Sequence, residues 1–361
     1  AATNLTSADT LAGGTGTDTL TVNAATVDAD FTNVTAVEKL TMNDTGTYTL
    51  GALAQAAGIT TVTAGVNNTV YTLAASTYTV GLTVDLKLQN TTGVVDTITT
   101  GSGDDTVIVD SAVGLEDGDI FTLGTGTDTI QIDNSVATVT VEYDADDHSG
   151  VESITIGDVD GAATTSGEAV TITISADGAT AANTLIIDGS NITDSLDDLT
   201  VTNSAASSLT SYTISGGAGD DILAGSNAAD TITGGTGSNS LTGNSGNDII
   251  TGGAGVDTIA GGAGNDVVVA AAGNDIITIG AGTDNIDAGA GNDAISAGAN
   301  LTSIDTLAGG AGTDTLTLSA ATIDLDFTLV TGVEKLTVGT VGTFTLGAKA
   351  QAAGITTFTT I

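Results

Sequence analysis

The 361-residue chain lacks cysteine, proline and tryptophan, and it has four lysines, no arginine and one histidine. Without cysteine, neither a disulfide nor a thiolate metal site can form. Without arginine, and with a formal net charge of −40, the chain has no basic surface for nucleic acid. No apolar run is long enough for a membrane-spanning helix. Nucleic-acid, zinc, iron–sulfur and membrane-spanning classes are therefore excluded.

The residues that are abundant point to an extended, acidic structure. The chain has 50 glycines and 44 acidic residues, while aromatic residues make up only 3%. A core must therefore be built from valine, isoleucine, leucine and alanine in thin layers. Because so much negative charge opposes compaction, the composition predicts that the folded chain binds cations.

A nine-residue repeat runs without a gap through residues 216–296, and its first copy, residues 216–224, reads GGAGDDILA. We number its positions as slots one to nine. Slot six is acidic or Asn in every copy, namely at Asp221, Asp230, Asn239, Asp248, Asp257, Asp266, Asp275, Asp284 and Asp293. Slot eight is aliphatic in every copy, namely at Leu223, Ile232, Leu241, Ile250, Ile259, Val268, Ile277, Ile286 and Ile295. Such a pattern indicates a short strand after every glycine-rich turn.

Two such repeats make one coil, so alternate slot-six residues should stack in two columns. The first column is predicted to hold Asp221, Asn239, Asp257, Asp275 and Asp293, and the second Asp230, Asp248, Asp266 and Asp284. Carboxylates stacked about 5 Å apart repel by roughly 1 kcal/mol per neighbour in water. A cation between them is therefore expected, and all-oxygen ligands in a flexible glycine turn favour Ca²⁺ over Mg²⁺.

The repeat, G-G-x-G-x-D-x-U-x with U an aliphatic residue, resembles that of the RTX (repeats-in-toxin) family of calcium-binding β-rolls. This resemblance implies an all-β fold in which a parallel β-roll is joined to β-solenoid or sandwich-like regions. It also implies several bound Ca²⁺ ions, folding triggered by calcium, and type I secretion to the bacterial cell surface.

Three places depart from the pattern. Asn239 brings no charge, so the sites on either side of it should be weaker. Residues 225–230 read GSNAAD and lack two glycines, and residues 270–272 read AAA. The turn geometry in these two repeats is therefore an open question.

A longer duplication surrounds the nonapeptides. Residues 4–63 align with residues 300–359 at an offset of 296, with 45 of 60 positions identical. Each copy contains a nonapeptide-like acidic turn, and a diverged third copy begins at residue 126. Further metal candidates therefore lie in glycine-rich acidic turns outside the main run: Asp18, Asp105, Asp128, Asp305 and Asp314.

Other acidic residues leave two interpretations open. Glu38, Glu152 and Glu334 share one motif position, V-E-x-L/I-x, and are either calcium ligands or solvated acids. Asp28 and Asp30, kept as Asp324 and Asp326 in the second copy, form either an extra calcium site or strand-edge acids. Glycine-rich turns also contain weaker candidates, Asp104, Asp117 and Asp119.

Four regions follow from this organisation. We predict a β-solenoid or sandwich-like region at 1–95, a second β region with acidic turns at 96–215, the RTX β-roll at 216–317, and the start of the next repeat unit at 318–361. The one helix expected is a short alanine-rich segment at 50–58, repeated at 346–354 and ended by glycine.

The chain offers no convincing catalytic site. His148 precedes Ser149, but adjacent residues on a strand or turn point apart, so we expect His148 to be a solvated loop residue. The triplet 44–46, DTG, matches that of aspartic proteases, yet the equivalent residues 340–342 read TVG. An active site absent from its own duplicate is not expected, and we predict that the protein is not an enzyme.

The acidic turn followed by V-E-x-L/I-T resembles RTX-containing bacterial surface-layer proteins and large adhesins. We therefore expect an extracellular structural protein that self-assembles with calcium into a surface layer or filament. Its expected partners are Ca²⁺, copies of itself and a cell-surface polysaccharide. The alternative is the stalk of a tandem-repeat adhesin. A third possibility, the carrier domain of a secreted hydrolase, is disfavoured by the duplication.

Overall fold

A computed structural model describes residues 5–66, 70–86, 95–110, 119–134, 139–143, 148–158, 169–174, 184–203, 211–319, 327–339 and 346–360. The chain forms two compact units. Unit 1 comprises residues 1–162 and 172–179, and unit 2 comprises residues 163–171 and 180–361. Asp117, Asp324, Asp326 and the triplet 340–342 lie outside the described residues.

Unit 1 consists of short strands with one 3₁₀ helix, Asp28–Phe31, and one α-helix, α1 (Ala52–Ala57). The strands are β1 (Leu11–Ala12), β2 (Thr19–Val22), β3 (Val34–Thr35), β4 (Lys39–Met42), β5 (Gly46–Thr49), β6 (Thr61–Ala64), β7 (Tyr71–Ala74), β8 (Thr83–Asp85), β9 (Thr97–Thr99), β10 (Thr106–Asp110), β11 (Ile120–Thr122), β12 (Thr129–Asn134), β13 (Val139–Tyr143), β14 (His148–Ser149) and β15 (Ser153–Asp158). Strand β16 (Ala169–Ile174) contains residues of both units.

The strands of unit 1 stack in parallel, coil on coil. One sheet has the order β2-β4-β6-β8-β10-β12-β15, a second has the order β5-β7-β9-β11-β14, and β1 pairs with β3. Register places aliphatic side chains directly above one another, as with Leu40 on Val62 and Val62 on Val84. These three side chains are fully buried. Each such side chain contributes about 1.5–3 kcal/mol by leaving water.

Unit 2 contains the remaining strands and the helix α2 (Ala348–Ala352). The strands are β17 (Leu185–Asp188), β18 (Asp198–Asn203), β19 (Tyr212–Ala218), β20 (Ile222–Ala224), β21 (Thr231–Thr236), β22 (Ser240–Ser245), β23 (Ile249–Ala254), β24 (Thr258–Ala263), β25 (Val267–Ala272), β26 (Ile276–Thr278), β27 (Asn285–Asp287), β28 (Ala294–Gly298), β29 (Thr306–Ala308), β30 (Thr315–Leu318), β31 (Val330–Thr331), β32 (Lys335–Val338) and β33 (Thr357–Thr360).

Two parallel sheets face each other across the core of unit 2. One runs β17-β19-β21-β23-β25-β27-β29-β31 and the other β18-β20-β22-β24-β26-β28-β30-β32-β33. Consecutive nonapeptides alternate between the sheets, so Ile232 pairs with Ile250 while Leu241 pairs with Ile259. Slot-eight side chains therefore fill a thin core, and the predicted coil of two nonapeptides is confirmed.

In most repeats of the roll the turn between strands has left-handed backbone at slot two. Gly235 and Gly253 have φ angles of 113° and 122° there. In the glycine-poor repeat Ala271 takes the same place with φ of 80°, and β25 forms around it. The doubt raised by residues 270–272 is thus resolved: the turn is kept, at a backbone cost of about 1–2 kcal/mol.

The predicted alanine-rich helices are confirmed in both copies. α1 ends at Gly58, which has φ of 105°, and Gly354 after α2 has φ of 101°. Asp28 Oδ1 accepts hydrogen bonds at 2.8–3.1 Å from the backbone N–H groups of Gly51, Leu53 and Ala54 at the start of α1. Asp28 therefore caps a helix that belongs to another element, and a calcium site at Asp28 stays a prediction.

The fold class predicted from the sequence is confirmed. The pairings described within both units are parallel, which is the geometry of a solenoid rather than of an antiparallel sandwich. Among the described residues, no helix is long and apolar enough to cross a membrane. The region boundaries at 95, 215 and 317 remain predictions.

Candidate metal-binding columns

The slot-six side chains of unit 2 stack in two columns joined by hydrogen bonds to the backbone. In the first column each backbone N–H donates to the side-chain oxygen of the next member. The distances are 3.0 Å (Asp221 to Asn239), 2.8 Å (Asn239 to Asp257), 2.8 Å (Asp257 to Asp275), 2.9 Å (Asp275 to Asp293) and 2.8 Å (Asp293 to Asp314). The column order is the one predicted, and Asp314 extends it.

The second column is built in the same way. Its distances are 2.9 Å (Asp230 to Asp248), 3.0 Å (Asp248 to Asp266), 3.0 Å (Asp266 to Asp284) and 3.0 Å (Asp284 to Asp305). Asp305 thus continues the column across three additional residues in its repeat. The structure brings together all the candidates of unit 2, and their role as ligands stays a prediction.

Most column carboxylates have one oxygen that is buried and without a hydrogen-bond partner. In unit 2 this is the Oδ2 atom of Asp221, Asp248, Asp257, Asp266, Asp275, Asp293 and Asp314. A buried, unpaired carboxylate oxygen costs about 1–3 kcal/mol or more, so such a set is rare unless another group binds it. The orphaned oxygens are the observation that fits a bound cation.

Glycine at slot one makes room for this oxygen. A Cβ atom added at Gly252 would lie 2.5 Å from Asp257 Oδ2, and one at Gly261 would lie 2.8 Å from Asp266 Oδ2. Glycine at these two positions therefore lets the carboxylate oxygen lie against the turn. Ala270 and Ala288 occupy slot one in the repeats of Asp275 and Asp293, so glycine is not required in every repeat.

Burial raises the pKa of the slot-six carboxylates between Asp221 and Asp293. Desolvation is the largest cause, and it brings the pKa of Asp221 and Asp248 to about 7 and that of Asp275 to about 6. Neighbouring carboxylates add to the increase at Asp248, while the N–H of Asp230 lowers the pKa. Desolvation, more than the mutual repulsion on which the sequence argument relied, is thus the main cost that a cation would offset.

The donor set suits a hard cation that accepts carbonyl ligands. Among the described residues no group of three or more His, Cys, Asp or Glu side chains converges on one point. The column carboxylates therefore supply only part of a coordination shell, and turn carbonyls would supply the rest. Ca²⁺ is the ion that takes six to eight such oxygens in flexible geometry.

Unit 1 contains shorter columns of the same kind. Asp105 N–H donates to Asp128 Oδ1 at 2.8 Å, and Asp96 N–H donates to Asp119 Oδ1 at 2.7 Å. The Oδ2 atoms of Asp18, Asp105 and Asp128 are buried without a hydrogen-bond partner. Asp96 was not among the predicted ligands, although it lies nine residues before Asp105, which is one repeat period.

The shared glutamates end the columns. Glu38, Glu152 and Glu334 each accept, through Oε2 at 2.8 Å, the backbone N–H of Asp18, Asp128 and Asp314 respectively. Glutamate therefore occupies the place of the next slot-six residue where the nonapeptide pattern stops. Calcium ligation by these three glutamates stays a prediction.

A second ladder of hydrogen bonds, which was not predicted from the sequence, lies beside the columns at slot five. Asn265 N–H donates to Asn247 Oδ1 at 2.7 Å, and Thr283 N–H donates to Asn265 Oδ1 at 2.8 Å. Asn292 N–H and Asn274 Oδ1 form the same bond at 2.7 Å. The signal was the recurrence of Asn before Asp, which reads in the sequence as an ordinary polar turn.

His148 is not the solvated loop residue that the sequence suggested. It lies in β14 with 2% of its surface exposed, pairs with Phe121 of β11, and stacks on that ring at a centroid distance of 5.1 Å. Parallel pairing with a buried strand turns the imidazole inward. Its environment is that of a core residue.

Comparison with known proteins agrees with this geometry. A family model described as the RTX calcium-binding nonapeptide repeat, in four copies, matches residues 5–24, 95–112, 213–241, 242–277, 278–300 and 302–320. The chain carries RTX repeats. Among curated proteins no match was found.

The RTX repeats coincide with the columns. Their segments contain every Asp and Asn of both columns of unit 2, together with Asp18, Asp96 and Asp105, whereas Asp128 and the three glutamates lie outside them. RTX repeats bind several calcium ions in each repeat region, so calcium is the cofactor of this protein. RTX repeat proteins are typically secreted bacterial proteins.

Proposed function

We propose that the protein is a non-enzymatic, extracellular structural protein that assembles at the bacterial surface when calcium binds. In low calcium the buried carboxylates oppose folding of the roll, which suits an unfolded state before secretion. Outside the cell, calcium offsets the desolvation of the columns and each coil buries its aliphatic side chains. Copies of the chain and a cell-surface polysaccharide are the proposed partners.

The observation that supports assembly is the different environment of the two copies of the duplicated segment. In the second copy, β29 and β30 pair with β27 and β28 of the roll, and Asp305 and Asp314 complete its columns. The equivalent Asp9 is exposed in the first copy and Asp18 is partly exposed. The first copy thus has a surface equivalent to the one on which the roll packs in the second copy, and either a preceding stretch of the same polypeptide or another copy of the chain would cover it.

Repetition of one surface along the chain favours growth in one direction. A contact between a roll end and an equivalent coil is heterologous and does not close, so it generates filaments or sheets rather than dimers. The lattice or filament subunit and the adhesin stalk both use this geometry. They differ in lateral association.

Calcium-dependent self-association separates the two. We expect particles that grow on addition of millimolar Ca²⁺, followed by light scattering and electron microscopy, and that disperse with chelator. A folded chain that stays monomeric in calcium would favour the stalk. A monomer with a catalytic activity of its own would contradict the structural role.

A further inference from the structure

The two ends of the second column differ from its interior. Asp230 is held by Ser226, whose N–H donates to Oδ2 at 2.6 Å and whose Oγ lies 3.0 Å from Oδ1. Asp305 is held by Thr302, whose N–H and Oγ donate to Oδ2 at 2.7 and 3.1 Å. Each end carboxylate thus has a backbone amide and a hydroxyl of its own repeat as donors.

Interior members of the same column have no such donors. The Oδ2 atoms of Asp248 and Asp266 are buried and have no hydrogen-bond partner. Both Asp230 and Asp248 are buried, with 2% and 0% of their surface exposed. Burial is therefore alike, and the local hydrogen bonds distinguish the end from the interior.

The missing glycine produces the difference at Asp230. Ser226 occupies slot two, where Gly235 and Gly253 have positive φ, and Ser226 does not take that conformation. Its backbone N–H donates to Asp230 Oδ2 of its own repeat. The carbonyl oxygen of Gly225 in the same turn accepts the amide of Asn244 at 2.8 Å. Protein donors thus engage two of the oxygens that a cation would use here.

The donor turn at Asp305 is set by local sequence. The segment T-S-x-D occurs at both 6–9 and 302–305. In the first copy Thr6 N–H and Oγ1 donate to Asp9 Oδ2, both at 2.9 Å, although Asp9 is exposed. Because the same bonds form in two different environments, they do not depend on packing against a roll.

We propose that Ser226 and Thr302 substitute for calcium at the two ends of the second column. Asp230 and Asp305 bind no ion there, and their turns are held by hydrogen bonds, while the interior carboxylates require calcium. The roll thereby keeps two preformed turns along this column when calcium is scarce. The inference rests on the proposed role of the columns as calcium ligands.

Matched substitutions in the full chain test this assignment. Protein saturated with calcium and freed of excess ion by gel filtration is analysed for bound calcium by plasma mass spectrometry, with circular dichroism to verify the β fold. We expect Asp248→Asn to lower the content by about one ion per chain or more, because it removes a charged ligand. Asp230→Asn should leave the content unchanged.

The second test uses a variant that should bind more calcium than the wild type. Ser226→Gly restores glycine at slot two and removes the hydroxyl, so we expect about one additional calcium ion per chain. Ser245→Gly is the control, since Ser245 lies at slot three of the repeat that contains Asp248 and pairs with Ala263 of the following coil. It should leave the calcium content unchanged.

Two results would overturn the inference: an equal loss of calcium in Asp230→Asn and Asp248→Asn, or no gain in Ser226→Gly. Both leave the proposed function intact, because the wild-type chain would still bind calcium and associate. A wild-type chain that binds no calcium at all would overturn the assignment and the proposed function together.

Discussion

The two copies of the duplicated segment have nearly the same sequence and different surroundings. Asp314 is fully buried and accepts the N–H of Asp293, whereas Asp18 is partly exposed at the start of its sheet. Leu316 is fully buried, and the equivalent Leu20 is not. The backbone N–H of Asp18 donates to Glu38 Oε2, and that of Asp314 donates to Glu334 Oε2, both at 2.8 Å. Local sequence thus forms the turn, and a preceding coil completes its burial.

Removal of calcium should produce the largest difference between the two copies. In chelator we expect the amides of residues 216–317 to lose protection from hydrogen exchange, because their columns contain most of the orphaned carboxylate oxygens. The second copy should lose protection with the roll on which it packs. The first copy, with Asp18 as its one orphaned carboxylate, should change less.

Hydrogen exchange with mass spectrometry distinguishes the copies, since their peptides differ in mass. Mg²⁺ at the same concentration is the control and should not restore protection. Mg²⁺ is smaller than Ca²⁺ and requires near-ideal octahedral geometry, so it binds poorly in a flexible site with many carbonyl ligands. Full protection of the roll in excess chelator would contradict the calcium dependence of the columns.

Substitution of equivalent aspartates should give an intermediate effect. Asp314→Ala leaves the buried N–H of Asp293 without an acceptor and should lower the stability of the adjoining coils by about 1–3 kcal/mol. Asp18→Ala should cost less, because in the described residues no N–H of a preceding coil donates to Asp18.

The measurement is local hydrogen exchange in calcium, read at strands β28 and β30 for one variant and β2 for the other. Asp314→Asn is the control, since it keeps the Oδ1 acceptor and should retain the bond to Asp293. Equal losses of stability in the two alanine variants would show that the hydrogen bond from the preceding coil to Asp314 adds nothing to the stability of the second copy.

The smallest effect concerns one backbone position. Ala36 and Gly332 are equivalent and both have left-handed backbone, with φ of 52° and 64°. Ala36→Gly should stabilise the first copy by about 1 kcal/mol. Gly332→Ala should destabilise the second by at least as much, because a Cβ atom there would lie 2.9 Å from Gly310 N.

Chemical denaturation in calcium, monitored by exchange of each copy, measures both changes. The double variant that carries both Ala36→Gly and Gly332→Ala is the control, since its amino-acid composition and total side-chain volume equal those of the wild type. Stabilisation of the second copy by Gly332→Ala would contradict the strain assigned to this turn.

Much of the roll could be predicted because its information is periodic. Slot-eight aliphatics alternate between two sheets and slot-six carboxylates between two columns, as with Ile250 and Asp248. A period of nine in a parallel fold leaves few other arrangements, since inward side chains must stack to leave water.

Contacts between distant or irregular segments could not be predicted. The cap that Asp28 supplies to α1 and the burial of His148 on Phe121 both join residues that no repeat relates. Asp96 is a different case, because the glycine pattern of its turn is absent although it lies one repeat period before Asp105.

The sequence by itself determined the coil period, the alternation of slot-six residues between two columns and the ion class, because each follows from short-range spacing and side-chain chemistry. Only the tertiary structure decided which carboxylates are satisfied. Ser226 and Asp230 lie four residues apart in an ordinary polar turn, and Asp248 lies in a similar one. Whether an oxygen there meets an N–H or remains unpaired depends on backbone direction and on burial by neighbouring coils, which spacing alone does not specify.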